Sequence, residues 1–454
     1  MQPQYQLICD FMHYGFLPKQ SVAEKQAEFY RSILTDDSIP VFDSQSAHSA
    51  RKLAVCIMRE RFEARGVDQI LLGLSAGFDS RGLLGVALDI LAPESIIAFT
   101  TGQVGNNDFE KARLFTEGIL PSHHLIETQA GTYSVEDWVS RIQKRPGQTG
   151  LIYGISQSVG NNLKEYKRLC KVTGYLGDAL SGKRLHGEHF EDWDSATDAF
   201  VQKNEVFRPS AKRIIQSLVP EDYDPHHLLP DGPLLPKNLM TYNDQLDLCY
   251  RQHQRIRANF PPTRQEELHP LEFTEVKPSG RTINVYDDPR WQKSYLSMSI
   301  EERLYQKHYK WMLKENWPEI FRDLVNPDDP RYAPPKKPKD RKGRLKHSAK
   351  TALHTNWESL WKDNENFNEF ARELIRSLAR RDVIYWLDPM ELLKEFDKDV
   401  LGLGKILWCL VSLELNFRAG SLPIPETKPT VVRPKSRYGN WRKIFRKSSF
   451  GRKI

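Results

Sequence analysis

Apolar residues recur along this chain at two different spacings, and the change from one to the other divides it. Over residues 6–65 they fall at helical intervals, at Ile8, Phe11 and Met12 and again at Ala54, Ile57 and Phe62, before a charged turn. Gln69-Ile-Leu-Leu-Gly-Leu74 is instead short, continuously apolar and bounded by turn signals, which predicts a strand buried on both faces. Residues 80–91 then read as a helix. Ser95-Ile-Ile-Ala-Phe-Thr100 repeats the strand pattern, and a helix over 108–119 and an extended run His124-Leu-Ile-Glu127 follow. Strands and helices in alternation predict an α/β fold, a parallel sheet with flanking helices.

Beyond about residue 185 the strand signals fade, and 299–315, 367–380 and 403–417 are helix-like, so the C-terminal half is expected to be mainly helical. Residues 326–339 hold five prolines among many charges and read as a linker or exposed loop. The expected organisation is a helical connector over 1–65, an α/β domain over 66–320, a basic Pro-rich linker or loop over 321–350, a mainly helical C-terminal region over 351–425 and a basic tail over 426–454.

Composition sharpens this picture in three ways. Hydrophobic residues make up 39 % of the chain and the mean hydropathy is −0.58, which excludes a largely disordered chain and predicts a folded protein with a polar surface. No apolar run approaches the roughly 20 residues that span a bilayer, and the first ten residues have no signal-peptide pattern, so the expected address is cytoplasmic. Five cysteines are scattered without the spacing of a zinc site, and are expected to be reduced and mostly buried.

The net charge of +7 is unevenly spread: 331–350 contributes +8 and 428–454 contributes +10, so the remaining body stands at −11. The high pI therefore belongs to two segments and does not mark a nucleic-acid footprint over the body. In the tail, Trp441-Arg-Lys-Ile-Phe-Arg-Lys447 and Phe450 mix aromatic and basic residues, which suits an acidic partner or an anionic membrane surface, or a solvated end.

The chemistry concentrates in Leu71-Leu-Gly-Leu-Ser-Ala-Gly-Phe-Asp-Ser-Arg81, which places Ser75, Gly77, Asp79 and Ser80 in the turn between a strand and its helix. Backbone N–H groups at a helix N-terminus carry partial positive charge, two serines add hydroxyls, and Gly77 permits close approach, so the loop can hold a phosphate or pyrophosphate. Asp79 suits such a place when a divalent cation bridges it to phosphate oxygens, which predicts Mg²⁺. The same residues also describe an ordinary capped helix start, since Ser and Asp are favoured caps.

Ser-Ala-Gly-Phe-Asp-Ser resembles the Ser-Gly-Gly-x-Asp-Ser pyrophosphate loop of the ATP pyrophosphatase superfamily, in particular its asparagine synthetase branch, with Ala76 in place of the first glycine. Ala76 is harmless at negative φ and strained at positive φ. Further stretches follow in the family's order. Phe99-Thr-Thr-Gly102 is similar to the strand end whose backbone meets adenine, and it leads on to Asn106-Asn-Asp-Phe-Glu-Lys-Ala-Arg113 and to His123 and His124. Val172-Thr-Gly-Tyr-Leu-Gly-Asp-Ala-Leu-Ser-Gly182 resembles the family's Gly-x-Gly-Ala-Asp-Glu-Leu-Phe-Gly loop and carries its aspartate over to Asp178, beside Gly177, with Ala179 at the glutamate. Asp287-Asp-Pro-Arg-Trp291 through Tyr309-Lys-Trp-Met-Leu-Lys314 is similar to an acidic turn and a lysine-bearing helix, and carries the phosphate-contacting lysine over to Lys310, with Lys307 as a competing assignment. Phe11-Met-His-Tyr-Gly-Phe-Leu-Pro18 resembles the connector before the family's synthetase domain, so the likeness spans roughly 8–320.

The resemblance implies an adenine nucleotide alpha hydrolase-like, Rossmann-like fold. It implies an ATP- and Mg²⁺-dependent amide-forming ligase in which Ser75, Gly77, Asp79, Ser80, Phe99, Thr100, Gly102 and Gly177 bind the nucleotide, Asp79 and Asp178 the metal, and Asp178 and Lys310 serve the chemistry. The family's glutaminase half is expected to be missing, because Gln2 follows Met1 and about 60 residues precede the first strand. Ammonia would then come from a separate glutaminase or from solution, or an amine would come with the substrate, itself a small-molecule, peptide or glycan carboxylate. Two other readings remain: a nucleic-acid-modifying enzyme of the same superfamily, and a non-catalytic scaffold on a degenerate synthetase fold, which Ala76 and Ala179 would suit.

Overall fold

The computed structural model describes residues 3–17, 19–102, 107–127, 134–143, 165–166, 169–183, 185, 190–205, 218–252, 282–321, 357–398 and 402–425. The segments 326–339, 331–350 and 426–454, to which the sequence assigns a linker and basic patches, lie outside the described residues.

Among the described residues five parallel strands form one sheet in the order β3-β2-β1-β4-β5. They are β1 (Ile70–Gly73), β2 (Ile96–Gly102), β3 (His123–Glu127), β4 (Cys170–Val172) and β5 (Thr282–Ile283). Ile70 pairs with Ile96 on one side and Cys170 on the other, which makes β1 the central strand and accounts for its uninterrupted apolar run. Ile70 and Leu72 enter the main core with Ile96 and Ala98, while Leu71, Ile97, Phe99 and Ile126 form a cluster on the opposite face. The α/β class expected from the sequence is therefore the one observed. β5 is new: its two residues are too few to carry a periodicity, and it is recognised only by its pairing with β4.

Among the described residues three helices precede the sheet: α1 (Pro3–Tyr14), α2 (Gln20–Thr35) and α3 (Ala47–Glu63). They do not share one core. α2 and α3 bury Ala27, Tyr30, Ala54 and Ile57 with the sheet, whereas α1 buries Tyr5, Ile8, Phe11 and Met12 in a second, helical core. That core is built by the helices Trp357–Asp363, Glu365–Arg381, Pro389–Asp397 and Gly404–Arg418, and Trp138 and Ile142 of a helix at Val135–Gln143 join it. Gly404–Arg418 runs through its centre and is buried from Ile406 to Phe417. Its one acid, Glu414, is neutralised there by Arg381 and Arg418 and accepts from the Ser377 hydroxyl.

Two packing features position the site. The helix after β1, α4 (Phe78–Leu88), carries Gly85, where a Cβ would come within 2.6 Å of Trp317. The glycine lets the segment after helix Lys307–Asn316 close against α4, and that helix brings Lys310 to Phe78 at the start of α4. The pattern over 299–315, which predicts one continuous helix, is broken into Ile300–Arg303, a 3₁₀ turn Leu304–Gln306 and Lys307–Asn316, with Tyr305 at φ 56° and Gln306 at φ 60°. Tertiary bonds override local propensity: buried Arg303 makes a bidentate pair with Asp244 at 2.7 and 2.8 Å, and Gln306 is drawn to the loop after β4.

All five cysteines are free thiols; Cys9, Cys249 and Cys409 are buried, Cys170 is half-buried and Cys56 is exposed. Among the described residues no helix is long and apolar enough to cross a membrane.

Candidate functional site

Strand order reverses direction beside β1: the chain moves outward on one side to β2 and β3, and on the other to β4 and β5. The loops leaving β1 and β4 diverge there, and in open parallel sheets such a switch point at the carboxyl ends of the strands forms the ligand crevice. Ser75, Gly77, Asp79 and Ser80 come from the first loop, and Gly177 and Asp178 from the second.

The first loop is knotted by its serines. The Ser75 N–H donates to Ser80 Oγ at 3.0 Å, the two hydroxyls lie 3.0 Å apart, and the Gly77 N–H donates to Ser75 Oγ at 3.1 Å. Neither serine nor Asp79 caps α4. The N-cap is Gly77, exposed, at φ −68°, with no side-chain cap bond, so the first turn presents its amides without the ordinary cap. Ala76 has no positive φ, and its methyl group costs the turn nothing.

Asp79 is the centre of the arrangement. Its Oδ2 accepts from the Asp178 N–H at 2.9 Å, and Gly177 lies so close that a Cβ would stand 2.6 Å from Asp79 Cγ. Behind it the Tyr309 hydroxyl donates to Tyr286 Oη at 2.8 Å, and the Tyr286 hydroxyl donates to the Asp79 carbonyl at 3.0 Å. Oδ1 of Asp79 is sealed from solvent and has no hydrogen-bond partner, and so is Oγ1 of Thr173 at the end of β4. Burial pushes the Asp79 carboxyl well above the usual carboxylate range, and the neighbouring Asp178 carboxylate pushes it further; the dipole of the nearby Tyr309 hydroxyl and the bond from the Asp178 amide pull the other way. A buried acceptor left orphaned beside a second carboxylate is the electrostatic situation that a bound cation relieves.

Asp178 is more open, with 40 % of its side chain exposed. Oδ1 accepts from Gln306 Nε2 at 3.1 Å and Oδ2 is ion-paired with Lys183. Ala179 is buried in the main core, so that position supplies packing rather than a functional group. Leu176, two residues before Asp178, sits at φ 74° with its side chain buried, where the resembled loop has its second glycine.

Lys310 Nζ lies 5.6 Å from the Phe78 ring centroid and donates to the Tyr305 carbonyl at 2.9 Å, which puts an ammonium beside the start of α4. Lys307 is exposed one turn earlier. Of the two lysines, Lys310 is the one the fold brings to the loop.

Phe99, Thr100 and Gly102 are placed differently. The Phe99 carbonyl accepts from the Leu74 N–H at 2.9 Å, and the buried Thr100 hydroxyl donates to the Leu74 carbonyl at 2.9 Å. His123 Nε2 lies 2.9 Å from Thr100 Oγ1, and its Nδ1 lies 2.7 Å from Thr116 Oγ1. Phe99 and Thr100 thus hold Leu74 at the start of the first loop, His123 backs Thr100, and Gly102 ends β2 with Phe109 against it. Burial pulls the His123 imidazole down to about 4, so it is neutral.

The acidic turn at Asp287 and Asp288 is a bracket rather than part of the crevice. Arg61 of α3 pairs with both carboxylates, Arg290 clamps Asp288 and Glu60, and the Tyr175 hydroxyl reaches Asp287. Asn284 donates to the Tyr175 carbonyl at 3.0 Å, which ties the loop after β4 to this network.

Residues that sequence reasoning missed are Gln306, Lys183, Tyr286 and Arg81. Arg81 lies over Phe78, Phe115 and Phe321 and donates to the Gly77 carbonyl, so it braces the loop from below. Only Arg81 carried a signal, as the last residue of the loop motif. Among the described residues no group of three or more His, Cys, Asp and Glu side chains gathers as a metal site. No protein-family model matches this chain, and no curated protein matches its sequence.

Proposed function

We propose that this chain is an ATP-dependent, AMP-forming carbon–nitrogen ligase resembling asparagine synthetase, on a Rossmann-like sheet of the adenine nucleotide alpha hydrolase type. The observation that carries the reading is the meeting, at the switch point, of an uncapped helix N-terminus with a partnerless buried carboxylate oxygen on Asp79 and a second carboxylate on Asp178. An ordinary capped helix start needs none of these.

The residues fit a nucleotide with its cation. Amides of α4 and the hydroxyls of Ser75 and Ser80 suit phosphate oxygens once the internal serine bonds are exchanged for them. Asp79 and Asp178 offer oxygen donors only, and two carboxylates with phosphates and water make the usual Mg²⁺ set. Bound there, Mg²⁺ would neutralise phosphate charge and relieve the repulsion between the two aspartates.

In the reaction a substrate carboxylate oxygen bonds to the α-phosphorus of ATP, the bond from that phosphorus to the bridging oxygen breaks, and pyrophosphate departs. Ammonia or an amine then adds to the acyl carbon, loses a proton to solvent, and AMP leaves with the electron pair of the acyl–oxygen bond. Lys310, beside Phe78 at the start of α4, would offset the charge developing on the departing pyrophosphate, and the loop amides would hold the phosphates in line. Ala179 in place of a glutamate favours a specialised ligation over plain asparagine synthesis.

The test is to supply purified protein with ATP, Mg²⁺, ammonium and a pool of small, peptide and glycan carboxylates and to follow AMP and pyrophosphate, with Asp79→Ala as control. Release in the wild type that the substitution abolishes supports the reading; ADP as the product overturns it.

A further inference from the structure

Four non-glycine residues among those described have positive φ, and three of them surround Asp178: Leu176 two residues before it, Gln306 bonded to it, and Tyr305 next to Gln306. The fourth, Asp382, is a helix C-cap. Two consecutive left-handed residues with side chains are disfavoured and persist only where the surroundings demand them. Tyr305 does not demand it for its own burial, since the residue is 61 % exposed.

The demand comes from Gln306. Its side chain is buried, and its amide spends both N–H groups, one on Asp178 Oδ1 at 3.1 Å and one on Ser181 Oγ at 2.8 Å. The carbonyl of Tyr305 holds Lys310. A continuous helix would stack residues 306 and 310 on one face; the broken turn lets one reach Asp178 while the other reaches Phe78. The amide donor orients Asp178 Oδ1 without adding a charge of its own, so the cation on this carboxylate is Lys183, at Oδ2.

We infer that Gln306 is a positioning residue that fixes Asp178 through Oδ1, leaving Oδ2, here paired with Lys183, as the oxygen a nucleotide-bound cation takes, and that the Tyr305–Gln306 turn is retained for this purpose. The inference rests on the ligase reading above.

The test compares calorimetric affinities for Mn²⁺·ATP and for metal-free AMP in the wild type, Gln306→Leu and Ser181→Ala, with thermal melting as the folding control. Gln306→Leu is expected to weaken Mn²⁺·ATP by about tenfold or more, as loss of a partner that orients a metal ligand does, while AMP binding stays within about twofold of wild type. Ser181→Ala, a smaller change that keeps the amide but removes its anchor, is expected to weaken Mn²⁺·ATP about threefold and AMP not at all, and it carries the test alone should Gln306→Leu not fold. Wild-type affinity for Mn²⁺·ATP in the folded variants, or equal losses for both ligands, overturns the inference and leaves the ligase reading standing. A wild type that binds no Mn²⁺·ATP overturns both.

Discussion

The Asp178 amide donates to Asp79 Oδ2 at 2.9 Å, and through this bond the loop leaving β4 is pinned to the first turn of the helix leaving β1. The pin joins the two sides of the crevice where Gly177 leaves no room for a Cβ against Asp79. Gly177→Ala must push the two loops apart. We expect it to cost about 1–3 kcal/mol, the usual penalty of overpacking, and to weaken nucleotide binding; denaturant melts and titration with ATP check both. Unchanged stability would mean that the loops are not in contact.

Asp79→Asn keeps the shape of the side chain and removes a buried carboxyl whose Oδ1 has no partner. The ligand-free protein is expected to gain roughly 1 kcal/mol, because the site carries a cost that only its ligand repays. Thermal melts with and without Mg²⁺ and ATP are expected to give the opposite order, because the ligands together stabilise the wild type more than the variant.

Arg303 and Asp244 form a buried bidentate pair, and the Arg303 Nε–H donates to the Leu180 carbonyl at 3.0 Å, close behind Asp178. Arg303→Met leaves an unpaired buried carboxylate and is expected to cost about 3–5 kcal/mol. Adding Asp244→Asn should recover part of that loss in urea unfolding, the coupling expected of two partners in one pair. Additive losses would show that the pair is not formed.

The imidazole of His123 is pulled down to about 4 by burial, whereas in the unfolded chain it takes its proton near 6.5. Between those values the unfolded chain binds more protons than the folded one, so stability is fully present above about 6.5 and is lost as the pH falls toward 4. His123→Asn should remove this part of the slope. The difference between wild-type and variant unfolding free energies, measured from pH 4 to 7, isolates it from other titrating groups.

How far the sequence foretold this arrangement depends on the range of the forces involved. β1, its loop and α4 are legible because an apolar run and a cluster of small polar residues act locally. The crevice pairing of Asp79 with Asp178 became an expectation only through a family resemblance, since nothing within either loop points to the other. Thr100, a nucleotide contact only by the resemblance and there through backbone groups, shows another long-range tie that the sequence does not announce: its hydroxyl donates to the Leu74 carbonyl. The break at Tyr305 and Gln306 has no glycine or proline to announce it and arises from partners more than 50 residues away in sequence, Asp244 and Asp178.

The most direct measurement is a calorimetric titration of ATP into the wild type and Asp79→Asn, each with and without Mg²⁺. Binding that strengthens with Mg²⁺ in the wild type and loses that gain in Asp79→Asn is the result predicted for a nucleotide held across β1 and β4. No binding, or binding indifferent to both Mg²⁺ and Asp79, would contradict it.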